Sequence, residues 1–454
     1  MSAQNSTSKK SGSTKTKDRN SPSATLQGIS VVGYKSIGER QHIDIRPLTL
    51  LAGANSGGKS SLIQPMLLLK QTLDAPYDPG SLLLDGQNVR LTSSDQLLTR
   101  SFDTGLVDRF AVWFDFGVFT IELAFHKAAH GLEVQHTIIK RPQEKDIVLN
   151  MNLNQEDMKA LLGGINLRVL DIVQLIQKSV VGFATRRNRC FVTFDTLIDG
   201  SIVSFSSDEV NILISFLMQV IHLPGLRGNP ERTYKTTAVG DMFPGTFENY
   251  VASIIHHWNS NNDPRLAELG KHLEILGLTW KITAKSLDDT QVELRVGRLP
   301  HSQKSGAQDL VSIADVGFGV SQTLPLLVAL LTAKSGQVVY LEQPEIHLHP
   351  RAQIALAKIL AEAAQRGVIV IAETHSALLL QGVQTLVAKD ELSPNLVKLH
   401  WVQRDEQGMT RVNSADLDNA GAFGDWPVDF MDVGLEADNE YLSAAEAKLF
   451  GQAQ

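Results

Sequence analysis

Apolar residues become frequent from Leu26 onward, where three short runs are rich in β-branched and aliphatic side chains. These runs, GISVVGY, QHIDIRP and LTLLAGA, predict three strands. In the segment that follows, KSSLIQPMLLLKQTL, leucine and methionine recur every three or four residues from Leu62 to Leu73 and predict a helix with one apolar face. Pro65 is expected to kink this helix or to lie near its first turns.

The middle of the chain mixes strand and helix patterns. RFAVWFDFGVFTIELAF predicts a pair of strands that turn at Gly117, whereas MKALLGGINLRVLDIVQLIQKSV and EVNILISFLMQVIH predict helices. The last third, with QTLPLLVALLTA, QVVYLEQ, PRAQIALAKILAEAAQ and GVIVIAETH, alternates helix, strand, helix and strand. This alternation is typical of an α/β fold in which helices cover a parallel sheet.

Composition narrows the class of protein. A chain of 454 residues with 43% hydrophobic content can bury a large core, and its length predicts two or three structural units. The longest apolar stretch, LPLLVALLTA, is about half of the roughly 20 residues that a membrane-spanning helix needs. The first residues lack the apolar core of a signal peptide, so we expect a cytoplasmic protein. Cys190 is the only cysteine, which excludes an internal disulfide or a thiolate zinc site.

Charge is distributed unevenly. The net charge of −7 does not favour nonspecific binding of nucleic acid, although a local basic groove is left open. Residues 1–25 are mildly basic with almost no large apolar side chains, which predicts a disordered tail. Residues 414–442 carry eight carboxylates and no lysine or arginine, so this end is expected to face a protein partner or solvent. Between Gly105 and Gln308 no run of heptads predicts a long coiled-coil arm.

The segment GANSGGKSS fits the phosphate-binding pattern G-x-x-x-x-G-K-[ST] and lies between a predicted strand and a predicted helix. Glycines let backbone N–H groups close around phosphates, and the helix N-terminus adds a positive field. Lys59 is expected to neutralise phosphate charge, and the Ser60 hydroxyl to ligate Mg²⁺. The alternative is a glycine-rich turn without a ligand. The predicted ATP-binding residues are Gly53, Ala54, Asn55, Ser56, Gly57, Gly58, Lys59, Ser60 and Ser61.

Four motifs carry a resemblance to known families. GANSGGKSS resembles the loop of the ATP-binding cassette (ABC), SMC and RecF branch of P-loop ATPases. VVYLEQPEIHLHP resembles that branch's Walker B strand and D-loop, IAETHS its switch-histidine loop and ADVGFGVSQTLPLL its signature motif. Together with LPGLRGNPERTY and GAFGDWPVDF, the pattern is similar to the overcoming-lysogenisation-type ATPases of prokaryotic antiphage defence, which include the ATPase subunit of Septu-like systems. The resemblance spans Leu26 to about Glu440.

This resemblance implies an ABC-type ATPase head, with a mixed sheet, flanking helices and a large inserted arm or lid region. The expected division of the chain is a disordered tail at 1–25, an N-terminal lobe of the head at 26–104, the insert at 105–305, a C-terminal lobe at 306–400 and an acidic segment at 401–454.

Glu342 and Gln343 follow the strand VVYLE, at the place where a nucleotide hydrolase usually carries a metal-binding Asp and a catalytic Glu. Glu342 is expected to face the Mg²⁺. Gln343 is a neutral carboxamide and cannot accept a proton, but it can orient the attacking water, so slow hydrolysis is expected. Glu345, two residues after Gln343, carries a carboxylate, and both a catalytic and a structural role are considered for it. The resemblance implies that His375 senses the γ-phosphate; the alternative is a hydrogen-bonded core histidine.

Gly317, Gly319 and Ser321 belong to the segment that resembles the signature motif. The resemblance implies that they bind the γ-phosphate held by a second subunit, so that ATP joins two heads; the alternative is a flexible turn. Gly317 stands where the usual motif has serine. Pro325 is expected in the first turn of the following helix, with Ser321 and Thr323 as cap residues.

Two further pairs of residues, one of histidines and one of arginines, are candidates for binding a metal, phosphates or a partner. His347 and His349 lack a third metal ligand at recognisable spacing, which favours a structural role. Arg227 and Arg232 are candidates for contacting phosphates or a partner, and surface salt bridges explain them equally well.

These features lead to one expected function and two alternatives. The expected function is an ATP- and Mg²⁺-dependent, slowly hydrolysing ATPase that self-associates through ATP-bound heads and acts as sensor and scaffold for a separate effector nuclease in antiphage defence. The first alternative is a RecF-like DNA-repair ATPase that clamps DNA directly. This alternative predicts DNA binding that weakens as the salt concentration rises. A transporter-type cassette is the second, disfavoured by the large insert and the lack of a membrane partner surface.

Overall fold

The computed structural model describes residues 25–101, 105–129, 131–154, 156–157, 180–198, 201–299, 309–424, 439–446 and 448. Nearly all of the predicted tail at 1–25 and of the predicted helix MKALLGGINLRVLDIVQLIQKSV falls outside these ranges. The described helices are α1 Lys59–Asp74, α2 Asp208–Gln219, α3 Glu248–Ser260, α4 Pro264–Ile275, α5 Phe318–Thr332, α6 Pro350–Gln365 and α7 Ala377–Ala388.

The strands form several sheets. They are β1 Gly28–Val32, β2 Gln41–Asp44, β3 Leu48–Ala52, β4 Arg100–Ser101, β5 Gly105–Leu106, β6 Arg109–Asp115, β7 Thr120–Ala128, β8 Gly131–Lys140, β9 Ile147–Asn150, β10 Val180–Asn188, β11 Phe191–Ile198, β12 Ser201–Phe205, β13 Ile221–Leu223, β14 Tyr234–Lys235, β15 Ile282–Ser286, β16 Gln291–Gly297, β17 Leu310–Ser312, β18 Val338–Glu342, β19 Ile369–Thr374, β20 Val397–Arg404 and β21 Thr410–Ala415.

The central sheet has the strand order β13-β18-β19-β3-β20-β21, in which every pair is parallel except β20 with β21. The inner strands β3, β18 and β19 are buried along almost their whole length because both faces of the sheet are covered there. Alternate residues of β18 separate onto two cores: Val339 and Leu341 pack with α3 to α7, whereas Val338 and Tyr340 pack with α1 and a second sheet. The expected α/β head with a mixed sheet and flanking helices is confirmed.

That second sheet is antiparallel and has the order β2-β1-β6-β7-β8-β9. The strand pair predicted to turn at Gly117 forms β6 and β7, and Gly117 has φ +76°, where glycine is favoured. Strands β6 to β9 lie inside the stretch 105–305 and continue the sheet that β1 begins. Smaller antiparallel sheets are formed by β10 to β12 and by β14 to β17.

Two sequence-based assignments need correction. The segment EVNILISFLMQVIH is helical only as far as Gln219, because residues 221–223 form β13 and pair in parallel with β18 at the edge of the central sheet. The helix of the signature-like segment begins at Phe318, so Pro325 lies in its interior and not in its first turn, and Ser321 and Thr323 are not cap residues. Pro65 also lies inside α1, where it is buried.

Strands β20 and β21 form a hairpin beside β3 that the hydrophobic pattern did not predict, and the expected boundary at residue 400 falls inside β20. His400 on this hairpin is fully buried and joins the two large sheets. Its Nε2 donates to the Asp44 carbonyl of β2 at 2.9 Å, and its Nδ1 accepts from the Ser414 hydroxyl at 2.8 Å. The Asp44 carbonyl requires the proton on Nε2, and in the neutral ring the Ser414 hydroxyl then donates to Nδ1. Burial, followed by the nearby Lys398 charge, lowers the pKa of His400 to about 4.

We predict that this histidine makes the fold acid-sensitive. The unfolded chain gains a proton at an ordinary histidine pKa near 6.5 and the folded chain only near 4, so stability falls as pH decreases between these values. Lowering the pH from 7.5 to 5 is expected to remove about 2 kcal/mol of unfolding free energy through His400. Urea denaturation at both pH values measures this loss.

The matched comparison is His400→Gln against His257→Gln, since His257 is exposed. His400→Gln should be less stable at pH 7.5 and should lose less stability on acidification than the parent. A parent-like loss in His400→Gln would contradict the prediction, whereas His257→Gln is expected to behave as the parent.

Candidate functional site at the end of the central sheet

The loop from Gly53 to Gly58 connects β3 to α1 and is pressed against the β20–β21 hairpin. Gly53 has φ +144° and Gly58 has φ +107°, conformations that other residues rarely adopt. A Cβ atom on Gly53 would lie 2.0 Å from the Val402 carbonyl oxygen, and one on Gly58 would lie 2.1 Å from Thr410 Oγ1. The Thr410 hydroxyl also donates to the Gly57 carbonyl at 2.9 Å. Glycine is therefore required at positions 53 and 58 for two reasons. A side chain would collide with the hairpin, and the turn needs positive φ angles.

Lys59 and Ser60 begin α1 and point toward the loop and the sheet. Lys59 is 5% exposed, and its ammonium donates to the carbonyls of Gly53 and Ala54, both at 2.9 Å. Burial lowers the pKa of Lys59, and the charges of Glu373 and Glu345 oppose that shift. The Ser60 hydroxyl donates to Glu373 Oε2 at 2.8 Å. The cation and the hydroxyl thus lie over the ends of β18 and β19.

Glu342 and Glu373 lie side by side because β18 and β19 are parallel and pair these two residues in register. Glu342 accepts from His222 Nε2 at 3.1 Å and from the backbone N–H of Gly225 at 3.2 Å. Burial favours the neutral acid, but the hydrogen bond and charge of His222 outweigh it, and the pKa of Glu342 is lowered.

Glu373 is in the opposite electrostatic situation. It is 3% exposed, and its Oε1 accepts from the Tyr340 hydroxyl. Burial, together with the neighbouring Glu342 charge, raises the pKa of Glu373 to about 7, although the bonds from Tyr340 and Ser60 favour its ionised form. Two adjacent carboxylates therefore differ in how readily they ionise.

Gln343 follows β18 in a left-handed conformation with φ +45°, and its N–H donates to the Glu373 carbonyl at 2.9 Å. It lines a cavity of about 610 Å³ together with the start of the glycine loop and the residues after β19. The residues lining this cavity are Gly53, Ala54, Asn55, Gln343, Glu345, Ile346, Gln353, His375 and Ser376. The structure thus brings Gln343, Glu345 and His375 together with the glycine loop.

Glu345 is 6% exposed and is held in place by one of its two oxygens. Its Oε1 accepts from the Thr374 hydroxyl at 2.8 Å and from the His375 N–H at 2.9 Å. Its Oε2 is buried and has no hydrogen-bond partner among the described residues. Burial and the Lys59 charge both lower the pKa of His375, so this partly exposed imidazole is neutral near pH 7.

The signature-like residues lie elsewhere and do not line the described cavity. Gly317 precedes α5 without a side-chain cap, and a Cβ there would have open space within 4 Å. The Ser321 hydroxyl donates back to the Phe318 carbonyl at 3.1 Å. Gly319 packs beside the backbone of His347, so the start of α5 lies next to the segment that follows Gln343.

Three of the four remaining candidates have partners among the described residues. Arg227 donates to the Gln322 carbonyl of α5 at 2.8 Å and approaches the Glu342 carbonyl at 3.5 Å, whereas Arg232 forms an exposed ion pair with Asp315 at 2.7 Å. His349 caps α6 by accepting from the Arg351 N–H, and His347 is exposed. Within the described chain no group of three or more His, Cys, Asp or Glu residues could hold a metal ion.

Three residues of this site escaped the sequence analysis. Glu373 stands two residues before His375 in IAETHS, and its carboxylate was the signal that could have revealed it. No comparable sequence signal marked His222 or Tyr340. His222 lies just before a loop, and Tyr340 looks like an ordinary residue of a buried strand. His222 Nδ1 also donates to Asn88 Oδ1 at 3.0 Å, and the imidazole stacks on the Tyr340 ring.

The donors around Ser60 fit Mg²⁺. They are a hydroxyl and two carboxylates, which are the hard oxygen ligands that this ion prefers, and a nucleotide site supplies the other ligands from phosphates and water. Ser60 with a neighbouring carboxylate would hold the ion, which would neutralise phosphate charge when bound.

Comparison with known proteins gives one family. A family of AAA domains, whose description names the AbiEii toxin and type IV toxin–antitoxin systems, matches residues 48–381. This span runs from β3 into α7 and includes the glycine loop, Glu342, Gln343 and Glu373. No curated protein matches the chain. Among the described residues, no helix combines the length and apolar character needed to cross a bilayer.

Several solved structures are similar at low sequence identity. An SMC head bound to the C-terminal winged-helix domain of ScpA is 12% identical, with a TM-score of 0.46, and the match covers 87% of this chain and 99% of that one. An SMC head from Thermotoga maritima is 10% identical, with a TM-score of 0.36 and coverages of 86% and 98%. One from Pyrococcus furiosus, with an extended coiled coil and bound to ScpA, is 10% identical, with a TM-score of 0.41 and coverages of 93% and 99%.

Proposed function

The chain belongs to this family of AAA domains, and we propose that it is an ABC-type ATPase that binds ATP with Mg²⁺, hydrolyses it slowly and regulates a separate effector nuclease in prokaryotic antiphage defence. In this role the ATP-bound protein is a sensor and scaffold in the cytoplasm. The observation that carries the slow hydrolysis is the position of Gln343, which lines one cavity with the glycine loop.

Gln343 supports slow turnover because it has no proton-accepting group at neutral pH. A general base typically contributes about 10²- to 10⁴-fold to a reaction rate. Its amide can still orient a water, which suffices for a slow reaction since phosphoryl transfer depends mainly on positioning and on charge stabilisation. Glu345, whose Oε2 lacks a partner among the described residues, is the nearest candidate for accepting the proton, and His375 for sensing the γ-phosphate.

Self-association of ATP-bound heads, as a dimer or larger assembly, is the second part of the proposal. Three exposed apolar side chains surround the start of α5 and the end of β18: Leu226 is 86% exposed, Phe318 58% and Ile346 47%. The segments that carry them are in contact, because Arg227 donates to Gln322 and Gly319 packs on His347. Such a cluster beside a phosphate-binding helix N-terminus suits a second head that brings its own nucleotide.

The defence role rests on the resemblance of the motifs, and the family's description, which names a toxin–antitoxin system, supports it. The effector is proposed to be a separate protein. Copurification of the tagged chain with the product of the adjacent gene, in ATP and in ADP, tests this part. Capture of a nuclease only in ATP is expected. A permease as the neighbouring product, or salt-sensitive DNA binding with DNA-stimulated hydrolysis, would contradict it, the latter in favour of the RecF-like clamp.

We predict that Gln343→Glu accelerates hydrolysis. A carboxylate at this position supplies the missing base, so the single-turnover rate should rise by about 10- to 100-fold. Gln343→Asn is the control, because it remains neutral and should not exceed the parent rate. Rapid hydrolysis by the parent, combined with no acceleration in Gln343→Glu, would refute slow turnover at this site.

We also predict ATP-dependent assembly through the surface around Phe318. Light scattering should report a larger mass with ATP and Mg²⁺ than with ADP. Phe318→Asp and Ile346→Asp should prevent the increase, since each places a charge on the proposed contact. Leu287→Asp serves as the control at another apolar side chain with 46% exposure. An equal mass in ATP and ADP for the parent would rule out this assembly.

A further inference from the structure

The Ser60 hydroxyl is hydrogen-bonded to one of the two carboxylates at the end of the central sheet. Its Oγ donates to Glu373 Oε2 at 2.8 Å, and no hydrogen bond joins it to Glu342 among the described contacts. Neighbouring oxygen ligands of an octahedral Mg²⁺ ion are about 2.9 Å apart when each lies about 2.05 Å from the ion. The Ser60 and Glu373 oxygens therefore already have a separation that one ion can bridge.

Glu342 is occupied by other partners. Both of its oxygens accept hydrogen bonds, one from His222 and the other from the Gly225 N–H. His222 is itself held by Asn88 and stacks on Tyr340 at a ring-centroid distance of 5.2 Å. This network ties Glu342 to β13 and to the loop after it, on the side of β18 away from β19.

Glu373 is oriented by a different neighbour. Tyr340 is fully buried, and its hydroxyl donates to Glu373 Oε1. This bond fixes the carboxylate so that its other oxygen, Oε2, faces the start of α1. A single side-chain oxygen is thus directed at the hydroxyl that the phosphate-loop pattern assigns to Mg²⁺.

We propose that Glu373, and not Glu342, is the carboxylate that binds Mg²⁺ together with Ser60. This inference rests on the proposed ATP site and replaces Glu342 in the set of metal ligands expected from the sequence. Glu342 then serves as a structural acceptor that fixes β13 and the 224–228 loop against β18. Tyr340 is a positioning residue for Glu373.

The test measures how strongly Mg²⁺ and nucleotide binding depend on each other, without using hydrolysis. Affinity for a fluorescent ATP analogue is determined in EDTA and across a Mg²⁺ titration for the parent, Glu373→Gln and Glu342→Gln. Glutamine keeps the shape and an acceptor oxygen but removes the charge. We expect Glu373→Gln to raise the Mg²⁺ midpoint by about 10-fold or more, since even supporting groups around a metal typically contribute 10- to 100-fold. Glu342→Gln should change it by less than about threefold.

Additional variants distinguish the possible outcomes. Ser60→Ala should raise the midpoint as well, and the Ser60→Ala and Glu373→Gln effects should not add if both residues bind one ion. Tyr340→Phe should give a smaller shift. If Glu373→Gln does not fold, Glu373→Asp, which keeps the charge on a shorter side chain, should give the raised midpoint. A larger shift for Glu342→Gln than for Glu373→Gln, or additive effects, would overturn the proposal.

Failure of the proposed function gives a different result. If the parent binds the analogue neither in EDTA nor in Mg²⁺, the ATP site itself is wrong. If all variants bind the analogue in EDTA with parent-like affinity and only the Mg²⁺ dependence separates them, the ATP site stands and the comparison decides between the two carboxylates.

Discussion

The register between β18 and β19 is the constraint on which the site depends. It sets two carboxylates next to each other at buried strand ends, where like charges repel strongly because the surroundings are apolar. The two carboxylates differ because His222 and the Gly225 N–H favour the ionised form of Glu342, whereas deeper burial and the Glu342 charge disfavour the ionised form of Glu373. The shift in the pKa of Glu373 to about 7 corresponds to about 3 kcal/mol against ionisation. The two acids therefore have different chemistry although their side chains are the same.

Local patterns predicted the parts of the fold that depend on local physics. The glycine loop between β3 and α1, the parallel strands around Glu342 and Glu373, and the turn at Gly117 all follow from hydrophobic periodicity and from glycine at particular positions. The central arrangement of Gln343, Glu345 and His375 around the loop could also be anticipated, because the carboxyl ends of parallel strands meet at one edge of a sheet.

The rest depends on contacts between residues that are distant in the chain. The interaction of Ser60 with Glu373 joins residues 313 positions apart, and no local pattern reports it. The β20–β21 hairpin was missed although Val397, Leu399 and Trp401 alternate with Lys398 and His400; these polar side chains are buried as well, so the strand does not have one apolar and one solvent-facing side. Similarly, β13 continues an apolar helix pattern and becomes a strand only because β18 offers an edge to pair with.

The contact between the glycine loop and the β20–β21 hairpin has a consequence for how the protein is made. Val402 and Thr410, which hold the loop in its left-handed conformations, are synthesised more than 340 residues after Gly53. During translation the ribosome therefore releases the loop long before the strands that shape it. The loop is therefore expected to take its final shape only after the hairpin has emerged and paired with β3.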